Sequence, residues 1–310
     1  MLMRNVPASP PAPSRATATA PAATKERTAS ASSPERFDGW VRSQPRALLD
    51  ELVTIDIAAC PVTLADEAQA LRVISAASQR PHPVPLAVAS INLDHVHHFG
   101  NGRRPLGAES GTEDGSRVEW LSLIDGRPIA RQAQRFTGDD VPRLAGSDLI
   151  GGILDDASEN RLTVAVLGGS SELTPVLRDR LAEQWPGVTF CGHWAPERAA
   201  LAEPRTSRRI AEEIRRAGAD IVIVCLGKPR QEQWIDSYGS ATGAGVLLAF
   251  GAVVDFLAGR VSRAPSWISS AGGEWMWRLM LEPRRLARRY LIEGPPAYLA
   301  VRRSPAPLRA

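Results

Sequence analysis

Cysteine is scarce in this chain. Only Cys60, Cys191 and Cys225 occur among 310 residues, with no CxxC pair and no even number to build a framework. A disulfide scaffold is excluded, and the thiols read as reduced, buried side chains of a cytosolic protein. Long apolar runs are missing too. The longest, Gly245 to Gly259, contains Asp255 and falls short of the ~20 residues a spanning helix requires. The opening MLMRNVPASPPAP is broken by proline and polar residues before any signal-peptide core can form, so neither leader nor transmembrane segment is expected. The dinucleotide fingerprint is absent. GGSSEL at Gly168–Leu173 is not GxGxxG, and no acid about twenty residues on is placed to hold a ribose, which disfavours nicotinamide chemistry. His95, His97 and His98 suggest a metal, since His at i and i+2 on a strand face one way. No matching His, Cys or acidic pair recurs at ligand spacing, so no metal site is expected.

What is present suits one large domain with appendages, given 44% hydrophobic residues over this length. The first forty or so residues are Ala, Pro, Ser and Thr with scattered charge, too poor in apolar surface to offset the entropy of ordering. Beyond them, apolar runs alternate with helical patterns. Pro85–Ile91, Leu162–Leu167, Ile221–Leu226 and Val246–Phe250 read as strands, and Leu64–Ser78, Thr174–Trp185, Thr206–Ala217 and Arg230–Tyr238 as helices. LTVAVL, IVIVCL and VLLAF are apolar nearly throughout, as strands covered on both faces must be. The expected fold is α/β, a Rossmann-like parallel sheet flanked by helices, with an arginine-rich helical C-terminal appendage. The expected organisation is a disordered arm over 1–45, a core over 46–268 and an appendage over 269–310.

The whole chain carries a formal net charge of +3, yet Ala271–Ala310 alone holds eight arginines against three glutamates, a net +5. Trp275, Trp277, Met280, Leu281, Tyr290 and Leu291 are interleaved with that charge. Such a segment suits an anionic membrane surface or phosphate groups. A helix of this kind can cover a neighbouring subunit as well as its own core, which leaves a homo-oligomer open.

In an open parallel sheet, ligands bind beyond the carboxyl ends of the strands. Four such places carry polar residues: Ser90 and Asn92 after PLAVA, Asp125-Gly126 after WLSLI, Gly168-Gly169 after LTVAVL, and Gly227–Glu232 after IVIVCL. Gly168 and Gly169 make a strand-to-helix turn whose following amides would point at an anion such as a pyrophosphate; a plain tight turn explains them equally well. Asp-Gly is first of all a turn dipeptide, and Glu232 can cap its own helix.

Four patterns, VCLGKPRQEQWI, AFGAVVDFLAG, RAPSWI and GEWMWRLMLEPRRLARRYL, occur in this order between Val224 and Leu291. In order and spacing they resemble the bacterial WecG/TagA/CpsF glycosyltransferases, a resemblance that covers roughly residues 60 to 300. It implies an inverting, metal-independent transferase that needs no cofactor. The sugar, an N-acetylmannosamine, glucosyl or uronic acid unit, would move from a UDP-sugar to a polyprenyl-diphosphate-linked sugar. The setting would be cell-surface polysaccharide synthesis at the inner face of the cytoplasmic membrane; nucleic acid is not an expected partner.

By the same resemblance Asp125 is the catalytic base, Ser90 and Asn92 match a Thr-x-Asn pair in the pocket, and Gln231 is a substrate-contacting amide. Arg143, with Gly146 and Asp148, matches RxxGxD, which would shape the pocket wall; a structural arginine–carboxylate pair explains the pattern equally well. Arg278, Arg285 and Arg288 would close over the donor diphosphate. Departures from the family pattern are Ser90 for Thr, Arg230 for Lys, and LIDG where PDG or ADG is commoner. The competing classes are a catalytically silent membrane-binding or assembly protein, which could dispense with the pocket, and the disfavoured oxidoreductase.

Overall fold

The computed structural model describes residues 45–79, 84–103, 106–107, 117–260, 276, 279–280 and 283–306, with 283 and 285 as backbone alone. The arm expected to be disordered lies outside these residues except for Pro45. So do RAPSWI, Arg278 and the Arg285 side chain, along with 80–83 and most of 104–116.

Eight strands form one sheet in the order β1-β2-β4-β3-β8-β7-β5-β6. They are β1 (Val53–Ile57), β2 (Cys60–Leu64), β3 (Leu86–Ile91), β4 (Glu119–Ile124), β5 (Thr163–Gly168), β6 (Thr189–Trp194), β7 (Ile221–Cys225) and β8 (Val246–Ala249). All neighbours pair in parallel except β1 with β2. The α/β reading therefore stands, and the four strands read from apolar runs agree to within a residue or two.

The β1–β2 hairpin was not among them. It turns through Ala58 and Ala59 at φ 52° and 60°, a left-handed pair for which the usual sequence signal is Asn-Gly. Tertiary contacts hold this alanine turn: Ala58 N–H donates to Ser304 Oγ at 2.9 Å, and Asn101 N–H donates to the Ala58 carbonyl at 3.1 Å. The helix expected from Leu64 begins instead at Glu67, because Leu64 ends β2 and Asp66 makes a capping box with Gln69.

Two helical layers cover the sheet. One face packs α3 (Leu93–Phe99), α4 (Arg127–Thr137), α7 (Pro204–Ala217), α8 (Arg230–Tyr238) and the C-terminal helix α11 (Gly294–Arg303). The other packs α1 (Pro45–Asp50), α2 (Glu67–Ser78), α5 (Gly146–Glu159), α6 (Thr174–Gln184) and α9 (Val253–Leu257). Alternation along β3 shows why: Ala87, Ala89 and Ile91 face the first layer, Leu86 and Val88 the second. Central strands β3 and β8 are neighbours, yet α3 leaves β3 toward one face and α9 leaves β8 toward the other. That divergence opens a crevice at their carboxyl ends.

The C-terminal segment is docked, not loose. After α10 (Pro283–Ala287) and a π-helical stretch over Arg288–Glu293, helix α11 buries Ala297 and Val301 in the same apolar cluster as α3 and α4. Among the described residues no helix is long and apolar enough to cross a membrane.

Candidate active site

Asn92 follows β3 and caps α3. Its Oδ1 accepts from His95 N–H at 3.2 Å, which leaves its Nδ2 to donate to Asp125 Oδ2 at 2.9 Å. A residue that is both helix cap and carboxylate partner has one orientation available. Asp125 is fixed from its own side, since its N–H donates to the Ile91 carbonyl at 2.9 Å. The carboxylate stands half-buried at the carboxyl end of β4, one oxygen held by Asn92. Such a group can take a proton from a hydroxyl that enters the crevice.

The return loop after α4 is tied to the same strand end, where Leu144 N–H donates to the Ile124 carbonyl at 2.7 Å. This places Arg143, half-buried, beside Asp125's strand. Gly146 opens α5 against Phe250: a Cβ there would lie 2.5 Å from the ring, so the glycine of the RxxGxD pattern is a packing requirement. Ser90, on the other side of Asn92, is buried, and its carbonyl accepts from Lys228 Nζ at 2.7 Å.

Beneath the crevice lies a polar cluster that the sequence analysis did not foresee. Lys228 Nζ donates to Glu232 Oε1 at 2.9 Å, with the two side chains 9% and 0% exposed, and lies 3.3 Å from His95 Nδ1. Gln231 Nε2 donates to the Ala249 carbonyl at 2.7 Å and to Glu232 Oε1 at 3.1 Å, while its Oε1 accepts from Gly227 N–H at 3.1 Å. Gln231 is thus buried with both amide protons used, and it ties the Gly227 turn to the end of β8. Glu232 does not cap its own helix, as the sequence allowed; it is the counter-ion of Lys228 four residues back. The signal was present as Lys-x-x-x-Glu at helix spacing. Lys228 and Lys25 are the only lysines in the chain, against a combined 37 Lys and Arg. A compact ammonium fits where a planar guanidinium would demand more acceptors.

Burial, with Lys228 and His98 adding to it, holds His95 well below its ordinary 6.5. The ring is neutral, and its Nε2 has no hydrogen-bond partner among the described residues. His95, His97 and His98 sit on helix α3, not on a strand, so i and i+2 do not share a face. The structure instead brings Glu293 to the pair His97 and His98, with ligand atoms all within 4.8 Å of one another. Cations already serve these carboxylates. Arg288 Nε reaches Glu293 at 3.0 Å, and Arg289 Nη2 reaches Asp94 at 3.3 Å beside His98 at 3.6 Å. The cluster ties the π-helical stretch to α3.

At the end of β5, Gly168 and Gly169 adopt φ 105° and 80°. A Cβ on Gly168 would lie 2.4 Å from the Cys225 carbonyl oxygen, so only glycine fits between β5 and β7. A 3-10 turn over Ser171–Leu173 precedes α6, which starts at Thr174 as the sequence reading expected, with that turn between it and the glycines. His193, not singled out in the sequence, braces this turn: Nε2 donates to the Gly168 carbonyl at 2.7 Å, and Nδ1 lies 2.8 Å from Thr174 Oγ1. The cysteines are free. Burial pushes Cys60 and Cys225 up to about 12, whereas Cys191 is only half-buried.

The glycosyl transferase WecG/TagA/CpsF family matches residues 55–309, spanning the sheet from Ile55 onward, the Asn92–Asp125 pair and the C-terminal helix. The chain belongs to the WecG/TagA/CpsF family. Two relatives carry the name N-acetylglucosaminyldiphosphoundecaprenol N-acetyl-beta-D-mannosaminyltransferase. The protein from Bacillus subtilis (strain 168) is 30% identical over 166 residues, 54% of this chain and 62% of its own. The protein from Bacillus spizizenii (strain ATCC 23059 / NRRL B-14472 / W23) is 29% identical over 175 residues, 56% of this chain and 62% of its own. The chain thus spans about six-tenths of the length of these curated relatives. In this family member the crevice brings Ser90, Asn92 and Asp125 together, with Gln231 under them. Gly168 and Gly169 lie two strands away from β8, at the end of β5. Arg288 lies beyond α3 and is paired with Glu293; Arg278 and the Arg285 side chain lie outside the described residues.

Proposed function

We propose that this protein transfers a sugar from a UDP-sugar to a polyprenyl-diphosphate-linked sugar, with inversion and without a bound metal ion. Asp125 takes the proton of the acceptor hydroxyl, whose oxygen attacks the anomeric carbon of the donor as the nucleoside diphosphate leaves. Asn92 aims the carboxylate. Ser90 and Arg143 line the pocket, Gln231 and the Gly168–Gly169 turn shape its floor and far wall, and Arg278, Arg285 and Arg288 neutralise the leaving diphosphate through charge-assisted hydrogen bonds.

The single observation that carries this reading is the 2.9 Å bond from Asn92 Nδ2 to Asp125 Oδ2 at the mouth of the crevice. An orienting amide on a strand-end carboxylate is the geometry of a general base. The names of both Bacillus relatives make N-acetylmannosamine the first donor sugar to test and diphosphate-linked N-acetylglucosamine the first acceptor. We place the reaction at an anionic membrane surface. Leu291, Ile292 and Leu299 are exposed at 62%, 67% and 48% on the same segment as Arg288, Arg302 and Arg303.

The test is transfer from a panel of labelled UDP-sugars to a short-chain polyprenyl-diphosphate-linked N-acetylglucosamine, with and without EDTA. Product from one donor, unchanged by EDTA, is the expected result. No product and no donor binding by folded protein would move the chain to another substrate class.

A further inference from the structure

A second cluster of arginines stands on Asp125's own side of the crevice, apart from the C-terminal segment. Arg127, Arg131 and Gln134 stand at i, i+4 and i+7 along α4, counted from Arg127, and so share one helix face. The return loop brings Asp140 and Arg143 against that face. Together they line a cleft of about 310 Å³, at the lower end of the roughly 300–1,000 Å³ of small-ligand sites. Arg127, Arg131, Arg143 and Asp140 are the charged residues of its lining. The cleft and the proposed base are also rigidly joined. Asp125 and Arg127 are separated by one residue, and the loop carrying Arg143 is pinned to the same strand by the Leu144–Ile124 bond of 2.7 Å.

We infer that this cleft binds the diphosphate of the lipid-linked acceptor. The inference rests on the transfer reaction proposed above, in which each substrate carries a diphosphate. In an inverting displacement the attacking hydroxyl and the leaving group lie on opposite faces of the anomeric carbon. The base touches the hydroxyl, and the cleft begins at Arg127, two residues along the chain from that base, so a phosphate held there is on the acceptor's side. The donor's diphosphate departs the other way. Paired guanidiniums bind phosphoryl oxygens in a bidentate manner, which fixes the acceptor as well as attracting it. Arg127, Arg131 and Arg143 would thereby hold one end of the acceptor sugar while its hydroxyl meets Asp125.

Arg131 is exposed, so its replacement should leave the fold intact, which thermal unfolding checks. In Arg131→Gln and Arg131→Glu, KM for polyprenyl-diphosphate-linked N-acetylglucosamine should rise about tenfold or more, and most for Glu, while the donor KM stays within about twofold. An alkyl glycoside of the same sugar, lacking the diphosphate, should be used equally poorly by wild type and variants. An unchanged acceptor KM would overturn the inference. A rise confined to the donor KM would also overturn it and give the cleft to the donor. Binding of inorganic pyrophosphate, followed by calorimetry, needs no turnover: Arg131→Glu should weaken it about tenfold, and equal affinity would remove the cleft as a diphosphate site. If wild type makes no product yet the pyrophosphate difference is found, the transfer reading fails and the anion site survives.

Discussion

Lys228 and Glu232 are a buried ion pair, and one of the carboxylate oxygens, Oε2, has no partner among the described residues. Removing only the cation leaves a charge in the protein interior, so Lys228→Met should cost about 3–5 kcal/mol, read from urea unfolding at neutral pH. The double change Lys228→Met with Glu232→Leu should recover most of that loss; an equal loss in both proteins would show that the pair's electrostatics are irrelevant. His95 beside them makes stability depend on pH. Its folded value is depressed by burial, so above its ordinary 6.5 both folded and unfolded rings are neutral and nothing changes. As pH falls below 6.5, the unfolded state takes up a proton that the folded state refuses, and stability drops. His95→Gln should flatten the melting temperature between pH 7 and the acid range relative to wild type. Asp125→Asn should keep the fold and the bond geometry to Asn92 while transfer falls at least ~100-fold. Full activity would remove Asp125 from the mechanism. The place of Asp125 at a strand end was legible in the sequence through its motif and its position after an apolar run. The cluster under it was not, because Ser90 and His95, Lys228, and Ala249 come from three strand ends that only the sheet order brings together.

The turn from β5 toward α6 depends on Gly168 at φ 105° against the Cys225 carbonyl. Gly168→Ala should destabilise by at least ~1–3 kcal/mol from backbone strain before the steric clash is counted. A melting temperature within error of wild type would mean that β5 and β7 can separate locally. The central strands were readable because burial on both faces selects continuous apolar runs. The β1–β2 hairpin was not, since an Ala-Ala turn carries no local signal and is held by Ser304 and Asn101 from distant segments. Helix α11 looked from composition like an amphipathic appendage. Packing makes it part of the core, with Ala297 and Val301 buried among residues of α3 and α4. Cutting the chain after Ser269 should therefore lower the stability of the remaining domain as well as any membrane binding.

Across the molecule, membrane association is better tested by surface changes than by truncation. Replacing Leu291, Ile292 and Leu299 with serine should reduce binding to vesicles of anionic lipid by at least ~tenfold, because each exposed aliphatic chain contributes burial energy on insertion. Circular dichroism should be unchanged; undiminished vesicle binding would rule out this face. The sequence by itself determined the α/β class, the parallel strands, the family and the strand-end positions of Asn92 and Asp125. These follow from local pattern: apolar continuity, helix periodicity and motifs read in order. Only the tertiary structure decided that Asn92 bonds Asp125, that the Lys228–Glu232 pair is buried beside a neutral His95, that the C-terminal helix belongs to the core, and that Arg127, Arg131 and Arg143 line one cleft. Distances between side chains on different strands are set by sheet order and crossover, and no local stretch of sequence encodes them.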